Sequence, residues 1–400
     1  MIMGPLNGIT VLDMSRYIAG PYCSMLLADM GADVIKVERR EKGEDSRSLI
    51  PFKESGNEKV SLYYTQYNKN KRSLSIDFRN PESIELLKKL IKKADVLVEN
   101  FRPGTLDKMG LTKEVLTELN PSLVVTSISG FGQNGIYRDR AAFDCIGQAM
   151  GGLMGITGHP GSDPVLVGSW VGDFTTALYA AFGTVCALMH QQKTGKGQFL
   201  DLCLVECVSS ILATVIPDYC ANGRVQPLRG NRDTVCAPAN LFKCKDGSIY
   251  FHGGTEPLFA RLTDVMQKPE LRDDPRFKTV ADRMSHVDEI EAICQGWVSQ
   301  YTTDEAEELL QKAGIPVGKM ATVKDLVDSP LMKERNAIVH MDYPGVGDIA
   351  LPGVVVKMSE TPGEIRRRPP QLGEHNAEIL REFLGMSIAD VENLTRKKII

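Results

Sequence analysis

Asp173 stands in GSWVGDFTTALYAAFG, between an apolar, strand-like stretch and the start of an apolar run with helical spacing. A carboxylate at that place has two readings. As an N-cap it accepts hydrogen bonds from the first backbone N–H groups of the helix. As a reactive group it uses the same geometry. The positive end of the helix favours its ionised form, and in a dry cleft, with Gly172 allowing close approach, it can attack an activated acyl group. The basic residues Arg16, Arg39, Arg40, Lys69, Lys71, Arg72, Arg102, Lys108, Arg138 and Arg140 gather in the first 140 residues, most of them just after strand-like segments. Ligands of open parallel sheets bind beyond the carboxyl ends of the strands, and several cations there suit a polyphosphate. Each one alone also reads as a solvated charge at a loop tip.

Other patterns carry less. Gly130, Gly132 and Gly135 form a GxGxxG after a strand, but IYRDRAAFD follows, and we read a tight turn at a sheet edge rather than a dinucleotide loop. GKG at 195–197 lacks the Ser or Thr and the strand–loop–helix setting of a phosphate loop. The six histidines form no HExxH pattern, and no GxSxG occurs. His190 suits a helix C-terminus. Cys203 and Cys207 lie one turn apart if that stretch is helical, as core filler.

The elements that position these residues alternate. Strands are expected at GITVLD (8–13), DVIKVE (33–38), SLSIDF (73–78), DVLVEN (95–100) and SLVVTSIS (122–129). Helices are expected at 20–31, 81–94, about 103–119 and 174–192. Strands alternating with helices predict a parallel sheet covered on both faces, joined by right-handed crossovers. FLDLCLVECVSSILATVI reads as a strand entering a buried helix. ANLFKCKDGSIYFHGG reads as a hairpin turning on Asp246-Gly247, and charged amphipathic helices follow near 256–267, 285–300 and 303–313. The domain reading is a large α/β domain over 1–220, a smaller α+β domain over 225–325, and a segment, 330–400, returning to the first.

The bulk numbers narrow the function. The chain has 400 residues, 42% apolar and 24% charged, with 47 basic against 51 acidic side chains, a net charge of −4. That suffices for a large core and provides no basic excess for a nucleic-acid backbone. No run of 18 apolar residues suggests a membrane span, and MIMGPLNGITVLD lacks the marks of a signal peptide. Nine scattered cysteines without a CxxC fit reduced thiols in a cytoplasm, not a disulfide or zinc framework. No metal site is expected.

Several segments in fixed order, over nearly the whole length, resemble the family III CoA-transferases, the CaiB/BaiF group that includes formyl-CoA, carnitine and bile-acid CoA-transferases. They are PLNGITVLDMSRYIAGPYCSMLLADMGADVIKVERR, NKNKRSLSIDF, ADVLVENFRPGTLDKMG, NPSLVVTSISGFGQNG, AFDCIGQAMGG, VGDFTTALYAAFG and TGKGQFLDLCLVE. The resemblance implies a Rossmann-like large domain, a smaller domain, and two protomers interlocked like chain rings. It implies that Asp173 is the nucleophile, and that coenzyme A contacts fall on Arg39, Arg72, Asn100, Phe101, Arg102, Lys108 and Met109. Substrate contacts fall on Arg16, Tyr17, Ile18, Phe143 and Asp144.

The chemistry so implied passes the acyl group of a thioester to Asp173 and then passes coenzyme A to an acceptor acid, with no ATP, no metal and no tightly bound cofactor. Ile18 stands where formyl-CoA transferase has a glutamine, and GNRDTVCAP (230–238) replaces its glycine-rich lid. Both weaken a formate/oxalate assignment without excluding oxalate, and Arg16 could pair with the second carboxylate of a diacid. An α-methylacyl-CoA racemase is the alternative enzyme, but its histidine falls at Phe143, which cannot carry a proton. A non-catalytic coenzyme A-binding protein is the third reading. The donor and acceptor acids are not legible.

Overall fold

The computed structural model describes residues 4–400. The chain divides into two compact units. One holds the residues up to Leu153 with Leu166–Cys220 and Pro330–Ile400, and the other holds Met154–Val165 and Ala221–Ser329. The excursion Met154–Val165 into the second unit has no signature in the sequence.

The first unit is built on six strands, β1 (Thr10–Asp13), β2 (Asp33–Arg39), β3 (Lys71–Ile76), β4 (Val96–Glu99), β5 (Val124–Ser129) and β6 (Phe199–Cys203). They form one sheet in the order β3-β2-β1-β4-β5-β6, parallel throughout. That is the strand order of doubly wound dinucleotide-binding sheets, with its reversal point between β1 and β4.

The helices are α1 (Ala19–Asp29), α2 (Pro81–Ile91), α3 (Asp144–Met150), α4 (Val171–Thr194) and α5 (Leu204–Ser209). Alternate strand residues bury opposite ways. Leu12, Ile35, Leu97 and Val125 pack with Leu86, Leu87, Leu90 and Ile91 of α2, while Val11, Val34, Val96 and Val124 pack with Leu27 of α1 and Leu188 of α4. Both sheet faces are covered, as the alternating pattern predicts. α2 shows why such a segment is a helix: Asn80 caps the Glu82 N–H, Pro81 opens the first turn, and Lys88 and Lys89 close the last. α4 ends where Gly195 turns left-handed at φ 71°. It is long and apolar enough to cross a bilayer by length and composition. Here Ala177, Ala180 and Leu188 of α4 are core residues packed on the sheet and α1.

Some expectations change. The helix expected over 103–119 is two short ones, Thr105–Lys108 and Lys113–Leu119, because Gly110 takes φ 72° between them. Cys203 ends β6 and stands at the N-cap of α5, and only Cys207 lies within that helix. The glycine-rich stretch is a turn region with Gly132 and Gly135 at φ 87° and 94°; no helix begins until α3. It follows β5, which is not an edge strand. Two antiparallel pairs, Phe52–Ser55 with Glu58–Ser61 and Ile338–Tyr343 with Gly347–Pro352, were unmarked by the patterns.

In the second unit β7 (Ala239–Lys243) and β8 (Ser248–His252) form the expected hairpin, extended by β9 (Val317–Lys319). α6 (Glu256–Val265), α7 (Val287–Val298) and α8 (Thr303–Lys312) cover it around Phe242, Phe251, Phe259, Ile290 and Leu310. Residues from α9 (Asn376–Leu384) and α10 (Ile388–Arg396) complete the core of the first unit through Ile379, Leu380 and Val391, joined by Ile399 and Ile400. The carbonyl of Ile399 accepts from Asp77 N–H, and that of Ile400 from Arg40 Nε, both at 2.9 Å.

A charged cluster lies under the carboxyl ends of β1, β2 and the start of β3. Asp13, Lys36 and Lys71 are fully buried. Asp13 accepts from Lys71 Nζ at 2.9 Å and Ser24 Oγ at 2.7 Å, and Lys36 Nζ lies 3.6 Å from it and 3.4 Å from Glu44. Burial alone would raise the Asp13 carboxyl; Lys36 and Lys71 outweigh it and hold the group far below the ordinary carboxylate range. Burial brings Lys71 down to about 8 against the pull of Asp13. Removing one member of such a group leaves the others uncompensated. Asp13→Asn, which keeps the shape and deletes the charge, is expected to cost about 3–5 kcal/mol. Urea unfolding of the variant checks this.

Candidate functional site

The reversal point of the sheet opens a crevice between the loops that leave β1 and β4. The two loops are laced by one side chain: Asn100 Oδ1 accepts from Arg16 N–H at 2.8 Å and its Nδ2 donates to Arg16 C=O at 2.7 Å. Tyr17 has φ 65°, a conformation rare for a side chain of that size. It is held from below, since Tyr17 N–H donates to Glu44 at 3.2 Å and Lys36 Nζ donates to Ser15 C=O at 2.5 Å. The buried cluster thus fixes the turn that carries Arg16 and Tyr17.

The crevice holds a cavity of about 230 Å³ lined by Arg16, Ile18, Asn100, Phe101, Arg102, Arg140 and Asp173 among others. An adjoining cavity of about 500 Å³ is lined by Leu49, Tyr63, Asp144, Cys145, the 166–170 segment and again Asp173. Tyr17 and Phe143 border both and meet edge to face at 5.6 Å. Asp173 is therefore shared by a cationic cavity and an aromatic one.

Asp173 is not the N-cap. Trp170 occupies that position without a capping side chain, and Asp173 is the third residue of α4. The cap comes from 28 residues away in sequence: Asp144 Oδ1 accepts from Gly172 N–H at 2.8 Å and from Asp173 N–H at 3.3 Å. Glycine eases that approach, because a Cβ on Gly172 would lie 3.0 Å from that oxygen and push on it. Burial first, and then the charge of Asp144, push the Asp173 carboxyl up to about 7. A carboxylate half-ionised near neutrality, with no ion-pair partner among the described residues, suits nucleophilic work.

The structure brings together Arg16, Tyr17, Ile18, Asn100, Phe101, Arg102, Phe143, Asp144 and Asp173 around these two cavities. Others expected from the sequence stand apart. Arg39 lines a third cavity, of about 420 Å³, with Arg40, Lys42 and Arg79. It is linked to Arg16 through Asp45, which pairs with Arg39 at 2.5 Å and Arg16 at 3.0 Å. Arg72 is buried away from all three, paired with Asp33, with Glu378 at 2.9 Å and with Glu382 at 2.6 Å. The guanidinium fastens α9 to the sheet. Lys108 is exposed, and Met109 packs against the core, neither on a cavity with Asp173.

Sequence reasoning missed Gln148, Tyr63, Trp170 and Asp45. Gln148 follows Asp144 by four residues, a spacing that places both on one face of a helix and was there to be read.

Among the described residues one grouping could hold a metal: Asp233, Cys236 and His252, in the second unit, with ligand atoms within 4.8 Å. Cys236 Sγ lies 2.9 Å from His252 Nε2. Two ligands of one tetrahedral zinc stand about 3.5 Å apart. The spacing is that of a thiol–imidazole hydrogen bond, and the residues do not fit an ion as arranged.

The sequence model of the family described as CoA-transferase family III matches residues 6–376. The chain is 38% identical over 397 residues to a succinyl-CoA–D-citramalate CoA-transferase of Chloroflexus aurantiacus, covering 99% of this chain and 98% of the relative. It is 35% identical over 381 residues to the succinyl-CoA:glutarate CoA-transferase of Homo sapiens, covering 95% and 86%. The fold matches the crystal structure of a CaiB/BaiF family protein from Brucella suis with TM-score 0.85 and 35% identity, covering 95% of this chain and 100% of that one.

A raised carboxyl has a stability signature. Between an unfolded pKa near 4 and the native value of about 7, the native state binds the extra proton, so stability falls as pH rises through that window. Asp173→Asn is expected to be more stable than the parent by ~1–2 kcal/mol at pH 8, a rise of a few degrees in Tm, and to lose that advantage by pH 4. Thermal melts across pH check the sign.

Proposed function

The chain belongs to CoA-transferase family III, and from that premise we propose that it moves coenzyme A between dicarboxylic acids through a covalent intermediate on Asp173. The enzyme class follows from the family; the residue roles and the acids are our reading. The observation that carries it is the position of Asp173, a poised carboxylate where the cationic and aromatic cavities meet.

The steps balance without an outside energy source. Asp173 attacks the thioester carbonyl, the C–S bond breaks, and a mixed anhydride and the coenzyme A thiolate form. The thiolate attacks the Asp173 carbonyl and expels the donor acid, leaving an aspartyl thioester. The acceptor carboxylate attacks that carbonyl and frees the thiolate, which then takes the acceptor acyl group and restores Asp173. The activated intermediates need shelter from water, and the aromatic wall of Tyr63 against Trp170, at 5.5 Å, covers one side of the cavity.

Arg16 supports a diacid. It lines the cavity with Asp173, its guanidinium lies 5.4 Å from the Phe101 ring centroid, and its Nε is buried without a hydrogen-bond partner. Arg102 and Arg140 stand on the same cavity. A distal carboxylate would find charge-assisted donors there. The succinyl, citramalate and glutarate named for the relatives all carry one. The cavity of Arg39, Arg40, Lys42 and Arg79 suits the phosphates of coenzyme A.

We also propose the homodimer, in its linked-ring form. Leu178, Tyr179, Phe182 and Met189 of α4 are exposed, Phe182 by 70%, and a second copy would cover them. Nine free cysteines, without a disulfide among the described residues, support a reducing, cytoplasmic setting.

Incubation with succinyl-CoA followed by hydroxylamine is expected to mark Asp173 in peptide mass spectra; an unmarked Asp173 removes the mechanism. The rate of intermediate formation is expected to rise with pH through about 7 and then level, since only the ionised carboxylate attacks. Arg16→Ala is expected to raise KM for diacid acceptors about 30–100-fold, the loss of one charge-assisted contact, while monoacids change little. Equal changes for both classes count against the diacid reading.

A further inference from the structure

The third conspicuous side chain near Asp173 is Gln148, fully buried on α3. Its Nε2 donates to Asp144 Oδ2 at 2.6 Å and to Ser169 C=O at 3.2 Å, and its Oε1 accepts from Val167 N–H at 3.0 Å. Each polar atom of the amide is used, which fixes its orientation. Asp144 Oδ1 in turn takes the Gly172 and Asp173 N–H groups. One amide and one carboxylate therefore tie α3, the 166–170 wall and the first turn of α4 together. Gly147 lets this face of α3 press on Leu204 of α5, where a Cβ would lie 1.7 Å from Leu204 Cδ2.

The arrangement is asymmetric. Three N–H donors meet the Asp144 carboxylate, while among the described residues no donor meets that of Asp173. We propose that Asp144 and Gln148 are positioning residues that hold Asp173 against a like charge which acylation removes. The inference rests on Asp173 as nucleophile. Attack by Asp173 forms its C–O bond to the acyl carbon, the C–S bond breaks, and the negative charge leaves on the thiolate. The acylated side chain is neutral, so its repulsion from Asp144 ends with the bond. An interaction that is unfavourable in the free enzyme and absent from the intermediate lowers the cost of forming the intermediate. Gln148 keeps Asp144 at its post while this happens. An unclamped carboxylate would swing away, and the α4 turn would lose its cap.

Other groups face Asp173 without taking this role. Tyr63 and Tyr67, from the helix Leu62–Tyr67, are pushed upward, by burial first and with Asp173 among the lesser causes, Tyr67 to about 12. Both are neutral phenols at working pH. Arg16, Arg102 and Arg140 line the cationic cavity.

The test monitors the burst of succinate released when excess succinyl-CoA meets the full-length enzyme, from pH 5 to 9. Asp144→Asn is expected to move the acidic limb of the burst rate down by about one pH unit or more. An unmoved limb in that folded variant overturns the proposal. Gln148→Met is expected to lower kcat tenfold or more, with Kd for coenzyme A within twofold by calorimetry. A kcat within twofold of the parent overturns the proposal too, and this arm decides alone if Asp144→Asn does not fold. Hydroxylamine trapping on the parent separates the two levels. An unmarked Asp173 sinks the transferase mechanism, whereas a marked Asp173 with an unmoved limb sinks only the clamp.

Discussion

Two ammonium groups buried at the carboxyl end of a parallel sheet demand counter-charge within a few ångströms, and here they receive it from Asp13 and Glu44. That requirement reaches the surface. Lys36 and Glu44 meet their remaining hydrogen-bonding needs with the backbone of Ser15 and Tyr17, and the turn they hold cannot relax from its left-handed form. Arg16 and Tyr17 face the crevice because the charges beneath leave them no alternative. The sheet order supplies a crevice, and the buried charges give its wall a fixed shape.

The opposite wall obeys the same logic with the signs reversed. α4 opens with four N–H groups that need acceptors, and its own sequence supplies no cap. Asp144 supplies one from another helix, and its charge acts on Asp173 next door. Capping and activation are thus one contact seen from two residues. On the mechanism we propose, the stability given up by crowding two carboxylates is returned when one of them is acylated, a pattern common where function and stability compete.

Much of this was legible. Strand–helix alternation and apolar runs of Val, Ile and Leu predict a two-faced parallel sheet, and the Asp246-Gly247 hairpin is predicted by its turn residues. The place of Asp173 at a helix start after a glycine was legible too, and the structure sets it on both cavities. What stayed hidden was long-range pairing. Arg72 looks like a free cation at a strand end, yet its carboxylate partners on α9 come 306 and 310 residues later. Lys36 and Lys71 sit in apolar strands whose pattern reads the same whether the ammonium is solvated or paired. Asp144 is separated by 28 residues from the N–H it caps, and only folding shows that it serves another helix. The single helix expected over 103–119 failed for a local reason, the left-handed Gly110.

The way Ile399 and Ile400 enter the first core bears on how the protein is made. Arg40 reaches a carbonyl 360 residues further along the chain, and Leu74, Ile76, Leu86 and Leu90 share a core with side chains of α9 and α10 and with Ile399 and Ile400. During synthesis that face of the sheet emerges early and waits for its cover until residues 376–400 have left the ribosome. The 221–329 stretch, whose core is drawn from neighbouring residues, can close in the meantime. The interval in which the nascent sheet exposes apolar surface, and so invites a chaperone or an aggregate, is set by chain connectivity and not by the strength of any contact.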